Sequence, residues 1–123
     1  MYTITVTDSF VAQHVLTVPD PTPGEGELHS HAFEVEVTFR GPRLGEYGYL
    51  LDIDLARAEL RDAVGGYRDV TLNERLDGNP SVERLATALF DDLAGIDAPA
   101  VEEVTVAVRE DDAATVSYTG SID

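Results

Sequence analysis

The three histidines of the chain stand in one pattern, His14 and then His29-Ser30-His31. Neutral imidazole is a preferred ligand for zinc. Three imidazoles with a fourth position left for water or substrate form the catalytic rather than the structural arrangement. On a strand, His29 and His31 point to the same face about 6–7 Å apart, because side chains alternate and each residue advances the chain by roughly 3.3 Å. That separation suits two ligands of one ion. The competing reading is three unrelated surface or core histidines, and an H-x-H pair alone does not overturn it. What matters is whether the rest of the chain brings His14 to the same place.

The elements that would do so are visible as alternation. Tyr2, Ile4 and Val6 alternate with Thr3, Thr5 and Thr7, the period of a half-buried strand. Continued without a bulge near Asp8-Ser9, the even positions place Phe10, Ala12 and His14 on the same inner face. Residues 19–27, rich in proline, glycine and acids, form a loop. A second strand then carries His29, His31, Phe33, Val35, Val37 and Phe39 on one side, so its histidines sit at the loop end of the apolar face. Tyr47 to Leu51 reads as a further short strand, followed by a helix capped by Asp52 or Asp54 with Ala56, Leu60, Ala63, Val64 and Tyr67 as its buried stripe. A second helix opens at Asn79-Pro80, with the asparagine as cap, and buries Val82, Leu85, Ala86, Leu89 and Leu93.

Two last strands, Glu103–Glu110 and Ala114–Gly120, are joined across Asp111-Asp112-Ala113 as a hairpin. Val104, Val106 and Val108 put Glu110 on their own apolar side. Either Glu110 lies past the strand's end in water, or it awaits a hydrogen-bonding ligand or a cation. The expected fold is α+β, a four-stranded antiparallel sheet with two helices on one face in the order ββααββ, with residues 1–123 as a single domain.

Composition narrows the function classes. The absence of cysteine excludes disulfides, iron–sulfur clusters, thiolate zinc sites and a cysteine nucleophile. Met1 to Ile4 shows no leader pattern, and no apolar run approaches the roughly eighteen residues of a membrane span, so the expectation is a soluble, cytoplasmic protein with no membrane partner. The 24 acidic side chains face only 8 basic ones, all arginine, for a net charge of −16. The acids are spread along the whole chain, as in a protein of a halophile's cytosol, rather than gathered into a surface for a basic partner. No basic stripe is present to neutralise phosphates, which argues against nucleic acid.

Taken in order, Phe10-x-Ala12-x-His14, His29-Ser30-His31, Gly48-Tyr49-Leu50-Leu51-Asp52-Ile53, Leu72-Asn73, Asn79-Pro80-Ser81-Val82-Glu83 and the late strand ending at Glu110 resemble the 6-pyruvoyl- and 6-carboxy-tetrahydropterin synthase family of the tunnelling fold. The resemblance covers nearly the whole chain. It implies a zinc ion on His14, His29 and His31, and a pterin held by Glu110, since a carboxylate accepts two parallel hydrogen bonds from the ring's amino and N–H groups. It also implies trimers closed into a twelve-stranded barrel and stacked in pairs as a homo-hexamer. The expected activity is that of a lyase on dihydroneopterin triphosphate or a related pterin.

Two departures matter. The family's cysteine, four residues before the first histidine of His-x-His, is Glu25 here, and its Asp-His pair is Arg68-Asp69. One branch of the family replaces that cysteine by glutamate and leaves a hydroxymethyl-dihydropterin. Glu25 resembles this substitution, with Glu27 as the nearby alternative, and either could be an ordinary acid of an acidic loop. Asp69 or another subunit is left to supply the remaining acid–base group. The alternative is a paralogue that keeps zinc and pterin but has lost synthase chemistry.

The charge generates a first prediction. Self-repulsion of this size is screened at molar salt, where the Debye length is about 3 Å, and unscreened at tens of millimolar. Circular dichroism and light scattering across a potassium chloride series should show fold and assembly weakening as salt is lowered. An assembly of unchanged size and stability at low salt would contradict this.

Overall fold

The computed structural model describes residues 1–122. The alternating segments become β1 (Tyr2–His14) and β2 (His29–Gly41), each of 13 residues. They pair antiparallel from Tyr2 opposite Gly41 to His14 opposite His29 with every residue in step, so no bulge interrupts the face at Asp8-Ser9. The even positions of β1 and the odd positions of β2 therefore share one face from end to end. β3 (Glu103–Glu110) pairs with β2, and β4 (Ala114–Ser121) pairs with β3, giving the sheet order β1-β2-β3-β4.

The inner face carries the core: Val6, Phe10, Phe33, Val35, Val37, Phe39 and the three valines of β3 are buried. Two helices cover it. In α1 (Ile53–Gly65), Asp52 accepts a hydrogen bond from the Asp54 N–H at 2.8 Å and so is the cap, while Ala56, Leu60, Ala63 and Val64 turn inward. Tyr67 lies beyond this helix and is half-buried. In α2 (Val82–Leu93), Leu85, Ala86, Leu89 and Leu93 are buried and Val82 is half-buried. The result is the expected α+β architecture, a four-stranded antiparallel sheet with two helices on one face.

Two local expectations are corrected. Tyr47 to Leu51 forms a turn, not a strand. Gly48 takes φ +77°, Gly45 N–H donates to the Tyr49 carbonyl at 2.7 Å, and Tyr47 and Tyr49 are exposed while only Leu50 and Leu51 enter the core. Two glycines three residues apart close a loop more readily than they extend a strand. The cap of α2 is Ser81, which accepts from the Arg84 N–H at 3.2 Å, rather than Asn79. The Asn79 side chain instead accepts the Thr17 N–H at 2.8 Å, tying the chain beyond β1 to the start of α2.

The β3–β4 hairpin turns on Asp111 (φ 49°) and Asp112 (φ 58°), with Ala113 N–H donating to the Glu110 carbonyl at 2.8 Å. Two successive left-handed residues match the twist of the flanking strands, and aspartate is among the few residues that accept this conformation.

At the opposite end of the sheet, Gly41 is packed so closely that a Cβ there would lie 2.0 Å from the Ala100 carbonyl oxygen and 2.7 Å from a Leu50 methyl. Backbone oxygen cannot step aside. Gly41→Ala is expected to destabilise the fold by about 1–3 kcal/mol, as overpacking does, measured by denaturant melts at constant molar salt.

Candidate metal centre

The unbroken β1–β2 register sets His14 directly across from His29 and Ala12 across from His31. The rings lean together at the loop end of the sheet, with centroids 4.5 Å (His14–His29), 5.0 Å (His14–His31) and 4.7 Å (His29–His31) apart. His14, 3% exposed, is the one buried polar side chain on the inner face among the described residues. Burial holds its imidazole below the ordinary histidine value, against the Pro80 carbonyl, which favours the protonated ring.

Each ring is oriented through Nδ1. His14 Nδ1 donates to the Pro80 carbonyl at 2.9 Å, His29 Nδ1 donates to the Glu27 carbonyl at 2.7 Å, and His31 Nδ1 is bonded to the Asp111 carboxylate. A neutral imidazole with its proton on Nδ1 presents a lone pair at Nε2. All three Nε2 atoms are buried and make no hydrogen bond. Two carboxylates approach them at 2.9 Å (Glu25 to His29) and 2.8 Å (Glu110 to His31), without hydrogen-bond alignment. The ligand atoms of His14, Glu25, His29 and His31 all lie within 4.8 Å of one another, and those of His31, Glu110 and Asp111 do likewise. Three orphaned nitrogens aimed at one place, each on a ring already bonded through Nδ1, fit a metal ion. Left without one they would be buried polar atoms lacking partners, an arrangement that costs stability.

The surroundings explain how the sequence builds this. Thr22-Pro23-Gly24-Glu25 closes as a type II turn, with Glu25 N–H donating to the Thr22 carbonyl at 2.9 Å and Gly24 at φ +89°. The Glu25 carbonyl accepts the Leu16 N–H at 2.9 Å, which brings its side chain back over the histidines. Glu27, the alternative acid, is exposed and contributes its carbonyl instead. Asn73 grips both the N–H and the carbonyl of Val15 at 2.9 Å, an amide side chain continuing the ladder past β1, while Leu72 anchors the turn in the core. Glu110 lies within β3, opposite Phe33, not beyond the strand in water. His14, Glu25 and Glu110 open onto a cleft of about 440 Å³ that Asp20, Asn79, Ser81 and Glu83 also line.

Asp69 is placed elsewhere. It takes φ 59°, its N–H donates to the Val11 carbonyl at 2.8 Å, and it lines a small concavity with Val11, Gln13 and Ser30, residues of the outer face.

This geometry coincides with a match to the family model described as 6-pyruvoyl tetrahydropterin synthase, over residues 3–121. The chain belongs to the 6-pyruvoyl tetrahydropterin synthase family. Among solved structures, the Caenorhabditis elegans 6-pyruvoyl tetrahydropterin synthase is similar at 20% identity and TM-score 0.76, covering 98% of this chain and 96% of that one. A Plasmodium vivax 6-pyruvoyltetrahydropterin synthase, with a catalytic glutamate replaced by alanine, is similar at 15% identity and TM-score 0.80, covering 98% of each chain. The Plasmodium falciparum protein gives 13% and 0.79 over the same coverage. No curated protein matches the chain by sequence.

Sequence reasoning passed over Asp111. Its carboxylate spans the His31 ring and the Ala32 N–H (2.8 Å), and the histidine holds that carboxyl below its ordinary range. The signal was an acid at a left-handed hairpin position next to Glu110. A carboxylate on the far nitrogen of a ligating histidine fixes its orientation and raises its basicity. Asp111→Asn, which keeps the left-handed preference but offers one acceptor oxygen for two N–H groups, is expected to lower metal affinity by about 10–100-fold. Chelator competition measures this, with circular dichroism confirming an unchanged fold.

Proposed function

We propose that residues 1–123 form a single-domain, zinc-dependent lyase of the tetrahydropterin synthase type, working in the cytoplasm on dihydroneopterin triphosphate or a closely related pterin. The observation that carries this reading is the cluster of three unbonded Nε2 atoms beside a cleft onto which His14, Glu25 and Glu110 open. A zinc ion held by His14, His29 and His31 would supply a Lewis acid that polarises the oxygens of the pterin side chain and eases loss of a proton from its hydroxyl.

The chain's own groups divide the remaining work. Glu110 accepts two hydrogen bonds from the amino and N–H groups of the pterin ring and so fixes which end of the substrate meets the histidines. Glu25, half-buried beside His29, is the general base that takes the hydroxyl proton, in the place where the family's cysteine would stand. Its support is position: of the two loop glutamates, only Glu25 brings its carboxylate among the histidines. A glutamate is also the catalytic residue replaced in the P. vivax relative. Asp69, paired to the edge of β1 at Val11 and away from the histidines, would serve as an acid–base group only toward a neighbouring subunit.

A homo-hexamer of stacked trimers is part of the proposal. β4 and the part of β1 before Val11 leave sheet edges to be paired, and unpaired edges invite a further strand. At the end away from the histidines, Tyr2, Tyr49, Ile53 and Leu44 surround an apolar concavity of about 480 Å³, an exposed surface suited to association.

Incubation of the zinc-loaded protein with dihydroneopterin triphosphate in molar salt should give a pterin with a shortened or altered side chain, resolved by chromatography with fluorescence detection. Glu25→Gln should slow turnover by about 10²–10⁴-fold while leaving pterin binding intact. Glu110→Gln should weaken binding, because an amide offers one acceptor oxygen where the ring edge offers two donors. Pterin binding that depends on Glu110 without any turnover would instead identify a non-catalytic paralogue.

A further inference from the structure

Glu25 is held more tightly than a general base on a mobile loop needs to be. Its N–H and carbonyl are both bonded, to Thr22 and Leu16 at 2.9 Å each, and the Pro23-Gly24 turn aims its side chain inward. Its carboxylate oxygen joins the three Nε2 atoms in one set with every pair within 4.8 Å. It stands 2.9 Å from His29 Nε2 without accepting a hydrogen bond from it. That is the relation of two atoms facing a common third partner, not of a donor and an acceptor. The other ring nitrogen of His29 is already bonded to the Glu27 carbonyl at 2.7 Å, so Nε2 is the atom the ring turns toward Glu25 and the other histidines.

We propose that Glu25 is the fourth ligand of the metal ion in the resting protein. The inference rests on the metal reading of His14, His29 and His31 and adds a ligand to it. Zinc takes four ligands in tetrahedral order, from histidine nitrogen and carboxylate oxygen alike. Three neutral imidazoles leave the ion's double charge uncompensated, whereas one carboxylate halves it in a site already removed from water. With an ion bound, Glu25 would close the resting centre from the protein's own side. Exchanged for substrate, its carboxylate would stand free beside the substrate hydroxyl to accept the proton. One side chain thus acts first as gate and then as base. Glu110 lies as close to His31 Nε2, at 2.8 Å, but is not grouped with all three histidines as Glu25 is, and so is left to the pterin.

The test needs the metal alone, without substrate. Zinc affinity is measured by competition with a chromogenic chelator, and the visible spectrum of the cobalt-substituted protein reports the ligand set, both at molar salt. Glu25→Ala is expected to weaken zinc at least about tenfold and to change the cobalt spectrum of the unliganded protein, while Glu110→Gln changes neither. Glu25→Ala with the affinity and spectrum of the parent, alongside His31→Ala that loses metal, would overturn the fourth-ligand assignment and leave the histidine site standing. A larger loss in Glu110→Gln than in Glu25→Ala would assign the fourth position to Glu110 and overturn the inference. Retention of full affinity in His31→Ala would remove the metal site and this inference with it.

Discussion

The pairing of β1 with β2 over thirteen residues without a bulge is the constraint on which the rest depends. Because side chains alternate with a strict period of two, a slip of one residue would send His14 to the outer face and expose Phe10 and Ala12 with it. Burying Phe10, Ala12, Phe33 and Val35 therefore fixes the histidines as a by-product. The energy that holds the ligand set is the hydrophobic energy of the sheet, and the site occupies the last rungs of a face built for packing.

What the sheet cannot supply is orientation of the rings, and this comes from three different parts of the chain. The Pro80 carbonyl precedes α2, the Glu27 carbonyl ends the acidic loop, and the Asp111 carboxylate sits in the β3–β4 hairpin. Each bonds an Nδ1 atom and so turns the unbonded Nε2 toward the cluster. Asn73 and Asn79 bind the strand extension beyond His14 to the same region, at Val15 and Thr17. Asn73 and Asn79, each part of a family motif, thus share one physical purpose: they clamp the segment following β1 so that His14 faces its partners.

The electrostatic setting follows from composition. A chain with 24 acids and 8 arginines makes its cleft from Asp20, Glu25, Glu83 and Glu110, a field that attracts a cation and opposes a bare anion. A divalent ion at the histidines would lie among charges that otherwise repel one another. The surface charge and the local charge around the site are therefore of one sign but act differently. The first is screened by solvent ions, and the second is sheltered within the cleft.

By itself, the sequence determined the strands, the helical stripes and the shared face of His14, His29 and His31, because burial imposes periods of two and 3.6 that survive in residue order. It also determined that Glu110 lies on the apolar side of β3, by parity with Val104, Val106 and Val108. The tertiary structure alone set the Glu25 carboxylate, and not that of Glu27, among the histidines, placed Asp69 beside Val11, Gln13 and Ser30, brought in Asp111 and exchanged Asn79 for Ser81 as the cap of α2. It also turned Tyr47 to Leu51 into a glycine-closed loop. The reason is common to these cases. A backbone carbonyl such as that of Pro80 or Glu27 has no residue-type signature, and the direction of a loop side chain is set by hydrogen bonds to residues distant in sequence. Local pattern carries burial; only the folded chain carries the partners.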